Sequence, residues 1–307
     1  MSRISGELTI RDSGRVVSVW WRCDHYVNRV ILISDGLANQ GITDPIRLNR
    51  IAHKFRDKAI SLTTMGVGLE YNENLMIGLS EAGGGNYYFI ENPANLASIM
   101  NRELNTLSSV VAQNASIELT PGREVQVANV IGCESFNRDG RLVIQVGDIH
   151  ANETREFTVE LLIPEGTGTL TVAKGELYYE SNCIRLALPP RFTVTTRYTH
   201  DAAQIDKHKD WDTQARIDVA VSTQKVEKAM NALDEGRQEE AVRTLKEASQ
   251  VLMDSPAVLM SASGATQVSE QAANIQNYVS MLKDSTEDSR KAKKAIQYDN
   301  YRVQKRK

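Results

Sequence analysis

The chain has 307 residues, of which 41% are hydrophobic and 24% are charged, with a formal net charge of −3. This composition is typical of a soluble globular protein with two or three domains, and it gives no electrostatic case for nucleic-acid binding. The longest apolar runs, such as Val30–Ile33 and Leu161–Ile163, are too short to span a bilayer, so we predict no membrane segment.

The first 28 residues carry the weakest pattern of the chain. Glu7–Ile10 and Arg15–Trp21 are predicted to pair as a hairpin across an Asp-Ser-Gly turn. The N-terminus lacks the apolar core of a secretory signal. The three cysteines, Cys23, Cys133 and Cys183, are far apart and odd in number, which indicates reduced thiols and a cytoplasmic protein.

From Arg29 to residue 112 strands and helices alternate, which predicts a parallel sheet with right-handed crossovers. The run Val30–Ser34 is apolar throughout and suits a strand buried on both faces. Asp44 and Pro45 match the N-cap and first position of a helix. The predicted order is strand 30–34, helix 44–58, strand 60–67, helix 72–82, strand 86–90 and a helix from Pro93 to about Val111.

Two further regions follow in the sequence. Residues 113–200 alternate apolar and polar side chains between turns, which predicts an antiparallel β-sandwich. Residues 201–307 have helical periodicity, including one helical hairpin that resembles a single tetratricopeptide unit, and they end in a basic tail that we expect to be solvated. The predicted fold class is therefore multidomain: partial α/β, then β-sandwich, then α-helical.

Three segments carry a resemblance to a known family: RVILISDGLANQGITDP at 29–45, SLTTMGVGLEYNENLMIGLSEAGGGNYYFI at 61–90, and GDIHANETREFTVELLIP at 147–164. Together they resemble bacterial proteins in which a von Willebrand factor type A (VWA) domain precedes a β-sandwich and a helical region. The resemblance covers about 29–307 and implies that residues 29–112 form the C-terminal half of a VWA-like domain.

The resemblance also implies a metal-dependent adhesion site, in which three loops at the carboxyl edge of the sheet hold Mg²⁺. Asp35 in Ser34-Asp35-Gly36 matches the carboxylate of the third loop. The Asp-x-Ser-x-Ser of the first loop is absent before Arg29, and no second-loop Thr can be assigned. Because one carboxylate does not hold Mg²⁺ tightly, we expect weak metal binding at most. The alternative is that Asp35 caps its loop by accepting backbone N–H bonds.

Other chemistry is weakly indicated. Met65-Gly66-Val67-Gly68 begins like a dinucleotide fingerprint, but Tyr71 stands where the third glycine belongs, so we interpret both glycines as permitting a sharp turn. The five histidines are scattered, and no nucleophile–base constellation is evident, so we assign no catalytic or cofactor-binding residue.

The sequence thus predicts a non-enzymatic VWA-type protein–protein binding or scaffold protein with an unknown protein partner and an incomplete Mg²⁺ site. The alternatives are a hydrolase-type enzyme with an unrecognised site and a non-functional remnant. Because the resemblance to the family begins abruptly near Tyr26–Arg29, we expect a truncated or frameshifted form of a longer protein. Half a parallel sheet exposes an edge, which predicts marginal stability and homo-oligomer formation.

Overall fold

The structure, a computed structural model, describes residues 27–38, 41–107, 109–181, 184–185, 189–284 and 289–305. The hairpin predicted before residue 22 lies outside this part of the chain, and so do Cys23 and Cys183. Cys133 is a half-buried thiol.

The first region is a three-stranded parallel sheet with helical crossovers, as predicted. The strands pair in the order β1-β2-β3, and both pairings are parallel. The elements are β1 (Asn28–Ser34), α1 (Pro45–Arg56), β2 (Ile60–Val67), α2 (Glu73–Ala82), β3 (Gly84–Ile90), a 3-10 turn (Pro93–Asn95) and α3 (Leu96–Leu107).

Apolar clusters cover both faces of this sheet. Val30 and Leu62 pack on one face with Ala52 of α1 and Leu79 of α2. On the other face Ile31, Met65 and Ile90 pack with residues of α3, namely Leu96, Ile99 and Met100. Alternate residues of β1 thus enter opposite clusters, which explains why its sequence is apolar without alternation.

Local signals set the helix boundaries well, with one exception. Asp44 caps α1 by accepting a hydrogen bond from the Ile46 N–H at 3.1 Å, and Pro45 is the first helical residue, as predicted. The helix predicted from Pro93 to about Val111 is shorter, because α3 ends at Leu107. Val110 instead pairs with His150 in an antiparallel ladder, so tertiary strand pairing overrides the helical periodicity there.

The predicted antiparallel strands are confirmed. A six-stranded sheet has the order β10-β9-β4-β7-β6, with β11 paired to β9, and a two-stranded sheet joins β5 to β8. The strands are β4 (Val110–Pro121), β5 (Gln126–Ile131), β6 (Glu134–Arg138), β7 (Arg141–His150), β8 (Thr158–Leu162), β9 (Thr169–Ser181), β10 (Ile184–Arg185) and β11 (Arg191–Arg197).

The C-terminal region is helical, as predicted. Its helices share one apolar cluster that includes Leu245, Leu252 and Ile275, each with 0% exposure. They are α4 (Ala202–Lys207), α5 (Trp211–Asp234), α6 (Gln238–Met253), α7 (Ala257–Met260), α8 (Ala262–Asp284) and α9 (Ser289–Lys305).

The basic tail differs from its prediction. Instead of being solvated throughout, it forms α9, whose Ile296 (0% exposed) and Ala292 (4% exposed) are buried in the helical cluster. The apolar side chains occur at the i, i+4 spacing of one helical face, and the lysines and arginines around them mask this pattern in the sequence.

The chain divides into two compact units. The first contains residues up to Arg123 together with Cys133–Arg155 and Val172–Val194, and the second contains Glu124–Gly132, Glu156–Thr171 and Thr195–Lys307. The parallel sheet and most of the six-stranded sheet belong to the first unit. None of the helices described is long and apolar enough to cross a membrane.

Candidate functional site

The structure places Asp35 directly after β1, at the carboxyl edge of the parallel sheet. Its side chain is exposed, and in the described chain it has no hydrogen-bond or ion-pair partner. The loop is stabilised instead by Ser34, whose Oγ donates to the Gly36 carbonyl oxygen at 2.9 Å. The expected capping of the loop is therefore performed by Ser34, and the Asp35 carboxylate faces solvent.

Two more carboxylates lie on loops at the same edge. Glu70 follows β2 in the chain, Glu91 directly follows β3, and both are exposed. Because β2 lies between β1 and β3, the ends of the two outer strands are roughly 10 Å apart at the usual spacing. The sequence motif indicates Asp35 alone; the rule that parallel strands end at one edge also indicates Glu91.

Large apolar side chains are exposed beside Asp35. Leu37 is 63% exposed, Ile42 40% and Ile46 64%; the first two lie in the loop between β1 and α1, and Ile46 lies in the first turn of α1. A single exposed apolar side chain is ordinary, but grouped ones mark surfaces that other proteins cover.

The donor set at this edge does not fit Mg²⁺. This cation requires near-octahedral oxygen ligands from carboxylates, hydroxyls and waters. In the part of the chain that the structure describes, no group of three His, Cys, Asp or Glu residues could hold a metal ion. Asp35 is therefore not part of a group of three such ligands among the described residues.

Gly66 and Gly68 have different roles at the end of β2. Gly68 has a φ of +74°, so it permits the sharp turn that the sequence predicts. Gly66 has no positive φ; a Cβ there would lie 2.1 Å from the Tyr71 ring. The prediction of a turn was wrong for Gly66, which is small because Tyr71 packs on it. The Tyr71 hydroxyl hydrogen-bonds that of Tyr87 at 2.7 Å, and burial raises the pKa of Tyr71.

A buried carboxylate, Glu103 of α3, is bonded to all three strands of the parallel sheet. Its side chain has 0% exposure. Oε1 accepts from Arg29 Nη1 of β1 at 2.5 Å and from Thr63 Oγ1 of β2 at 2.6 Å. Oε2 accepts from Asn86 Nδ2 at 3.0 Å and Tyr88 OH at 2.7 Å, both of β3. Four donors thus satisfy one carboxylate.

Arg29 extends this network to the six-stranded sheet of the same unit. Its Nη2 donates to Asp148 Oδ2 of β7 at 3.0 Å, and its Nε donates to Ser61 Oγ at 3.0 Å. Burial opposes the charge of Arg29, but Glu103 and Asp148 outweigh it and raise the pKa of Arg29. Burial likewise opposes the charge of Glu103, yet Arg29 and the hydroxyl and amide donors hold the pKa of Glu103 below its usual value.

Sequence reasoning missed this network, although two signals were present. Glu103 follows Leu96, Ile99 and Met100 at the i, i+3, i+4 spacing of the buried face of α3, so a charge occupies a core position. Arg29 directly precedes the apolar run Val30–Ile33 of the same strand. Charges are almost never fully buried without a partner, so each residue calls for an opposite charge.

A second pair of titratable groups lies at the end of β7. His150 Nδ1 is 2.8 Å from Glu153 Oε2, and Arg155 Nε is 2.9 Å from Glu153 Oε1. Burial opposes the charge of Glu153, but the bonds from His150 and the charge of Arg155 lower its pKa to about 2. The buried His150 Nε2 contacts no serine, threonine or cysteine donor in the described chain, so no nucleophile completes the pair.

Comparison with known proteins identifies the fold. No family model matches the chain. The chain is 30% identical over 146 residues to the uncharacterized protein YfbK of Escherichia coli K12, a match over 45% of this chain and 25% of that protein. A von Willebrand factor type A structure from Catenulispora acidiphila superposes with a TM-score of 0.64 at 15% identity, covering 92% of this chain and 66% of that one.

A second solved structure is less similar. The ArnB paralog VWA2 of Sulfolobus acidocaldarius covers 87% of this chain with a TM-score of 0.46 and 19% identity. The chain spans a quarter of the length of YfbK and just under two thirds of the Catenulispora structure. The superposition over nine tenths of the chain, together with a parallel α/β sheet followed by antiparallel sheets and helices, shows that this chain has the fold of a von Willebrand factor type A protein.

Proposed function

We propose that the chain is a non-enzymatic protein-binding module of the VWA type, which docks a partner protein at the carboxyl edge of its parallel sheet. The observation that carries the proposal is the exposure of Leu37 and Ile46 (63% and 64%) beside the exposed carboxylate of Asp35. Apolar side chains rimmed by polar groups are typical of protein interfaces.

The state of the titratable side chains supports binding over catalysis. The carboxylates Glu103 and Glu153, whose pKa values are lowered, are each paired with an arginine and with further donors. Catalytic acids and bases instead need a pKa near the working pH and access to a reacting atom. We call the loop residues at the carboxyl edge of the parallel sheet, Asp35 with Leu37 and Ile42, together with Ile46 of α1, the Asp35 edge. The Asp35 carboxylate differs from Glu103 and Glu153, because it is exposed and available to hydrogen-bond donors of a partner.

The incomplete donor set leads us to propose docking without a bound metal. A cation that binds the folded state raises its melting temperature, because about 100 times the dissociation constant adds about 2.7 kcal/mol to the free energy of unfolding. We expect the same melting temperature in EDTA and in millimolar Mg²⁺ or Mn²⁺. An upward shift that is lost in Asp35→Ala would contradict metal-free docking.

The direct test is site-specific photo-crosslinking in cells. A benzophenone amino acid replaces Leu37, and the matched control carries it at Leu259, which is 89% exposed in the helical region. We expect Leu37 to give discrete protein adducts that Leu259 does not give. If neither position gives adducts, or if both give the same ones, the carboxyl edge is not a specific docking surface.

A further inference from the structure

Helix α1 carries a stripe of positive charge on its outer face. Arg47, Arg50 and Lys54 are all exposed. Their spacing of i, i+3 and i+7 places the three side chains on one side of the helix, over about 10 Å of its length. We call these three residues the basic stripe.

No acidic side chain neutralises the basic stripe within the described chain. None of its three residues forms an ion pair with another described residue. The acidic residues nearest in sequence, Asp44 and Asp57, are the two caps of α1, and Asp44 is engaged by the Ile46 N–H. Like charges three and four residues apart destabilise a helix by a few tenths of a kcal/mol per pair, so an external acidic group would relieve the repulsion.

The basic residues on the other side of α1 are used by the fold itself. Arg56 is 6% exposed, and its Nη1 lies 3.5 Å from Glu134. His53 Nε2 lies 3.2 Å from the other oxygen of Glu134. Exposed arginines on the antiparallel sheet are also paired, as Arg138 and Arg141 are with Glu118. Among the described residues, the basic stripe thus differs from these other arginines, which have acidic partners.

The stripe is continuous in sequence with the exposed apolar residues of the Asp35 edge. Ile46, 64% exposed, directly precedes Arg47, and Ile42 lies four residues earlier. The N-terminal end of a helix also carries a partial positive charge, which adds to the attraction for a carboxylate near Arg47. A ligand that matches this surface carries two or three negative charges over about 10 Å to face the basic stripe. It also carries an apolar group at the end that faces Ile46.

We infer that the basic stripe with Ile46 binds an acidic polypeptide segment of the partner protein, with carboxylates on the stripe and an apolar side chain on Ile46. This inference rests on the proposed function and specifies the chemistry of its partner. A polypeptide is favoured over a nucleic acid because only three charges are aligned and apolar side chains adjoin them, whereas nucleic-acid surfaces are extensively basic.

The test uses a fluorescein-labelled helical 16-residue peptide with glutamates at i, i+3 and i+7 and a leucine at each end, titrated with the full chain at about 50 mM salt. Each exposed ion pair contributes a modest amount, so the triple variant Arg47→Gln/Arg50→Gln/Lys54→Gln should bind about tenfold more weakly. Ile46→Ser should also weaken binding. Raising the salt to about 300 mM should weaken the parent and leave the triple variant nearly unchanged.

The control variant removes three positive charges elsewhere: Lys228→Gln/Arg243→Gln/Lys246→Gln, all exposed on α5 and α6. It should bind the peptide within about twofold of the parent, and circular dichroism should show the same helix content for all three proteins. Equal losses in both triple variants, equal binding of a peptide with glutamine in place of glutamate, or tighter binding of a single-stranded DNA of the same length would each overturn the inference.

The two proposals fail separately. If Leu37 gives adducts but the peptide does not bind, the proposed docking surface stands and the inference of an acidic partner segment fails. If the peptide binds through the basic stripe but Leu37 gives no adducts, the basic stripe binds acidic segments and the loop that carries Leu37 is not a docking surface.

Discussion

The parallel-sheet region and the helical region stabilise their interiors by different means. In the sheet region a charged network, Arg29 with Glu103 and Asp148, lies inside the fold, and the apolar side chains form separate clusters on the two sheet faces. In the helical region one continuous cluster of aliphatic and alanine side chains fills the interior, with Leu245 and Ile275 at 0% exposure.

The difference determines how each region responds to change. A buried charge network contributes little net stability compared with an apolar core, but removing one partner leaves an uncompensated charge and is costly. An apolar cluster instead loses free energy in proportion to the volume removed. Protonation should therefore affect the sheet region most, and cavities should affect the helical region at any pH.

The largest effect is expected from Glu103→Gln. This variant keeps the shape of the side chain but removes one of the two counter-charges of Arg29, and its amide nitrogen cannot accept the hydrogen bonds that Asn86 and Tyr88 donate to Oε2. We therefore expect a loss of about 4 kcal/mol in the free energy of unfolding. Urea unfolding measures the loss. The partly exposed, arginine-paired Glu176→Gln is the control and should lower the free energy of unfolding much less than Glu103→Gln does. A loss in Glu103→Gln no larger than in the control would show that the network is not structural.

A smaller loss, about 3 kcal/mol, is expected from Ile275→Ala, which creates a cavity in the helical cluster. Hydrogen exchange followed by mass spectrometry should place the faster exchange in residues 211–305. The loss should be the same at pH 5 and pH 7, because no titratable group is removed. A strong pH dependence of this loss would remove the distinction between the two regions.

The smallest effect is the acid sensitivity due to Glu153. Its pKa is lowered to about 2 in the folded chain, so its contribution is present above its unfolded pKa near 4.5 and is lost as the pH falls towards 2. Because this side chain is partly exposed, solvent screening reduces the contribution to about 1–2 kcal/mol. Urea midpoints between pH 5 and pH 3 should fall more steeply for the parent than for Glu153→Gln. Parallel curves would contradict this assignment.

Sequence periodicity was sufficient for the fold. The continuous apolar run Val30–Ser34 became a strand buried on both faces, and the Asp44-Pro45 pair began α1 as local hydrogen bonding requires. The predicted C-terminal end of α3 was wrong, because Val110 pairs with His150. Helical periodicity gives no information about such a long-range contact. Local rules predict local structure, and strand pairing can override them.

The candidate site was less predictable. Asp35 was found because its motif is contiguous, whereas the exposure of Leu37 and Ile46 depends on how the loop after β1 and the start of α1 pack. Glu103 was missed because its partners are 15 to 74 residues away, and no short motif connects them. The role of Gly66 was also missed, because its contact with the Tyr71 ring depends on the fold of the loop between them and not on a sequence motif.

The bond between Arg29 and Asp148 joins residues 119 positions apart. At a synthesis rate of 5–20 residues per second, Asp148 is made roughly 6–24 s after Arg29. During that interval β1, α1 and β2 are completed on the nascent chain. The guanidinium of Arg29 lacks both of its carboxylates until Glu103 is made, and it lacks Asp148 until the interval ends. Desolvating that charge is unfavourable until its partners arrive, so the first strand should remain hydrated and accessible to chaperones on the ribosome until β7 emerges.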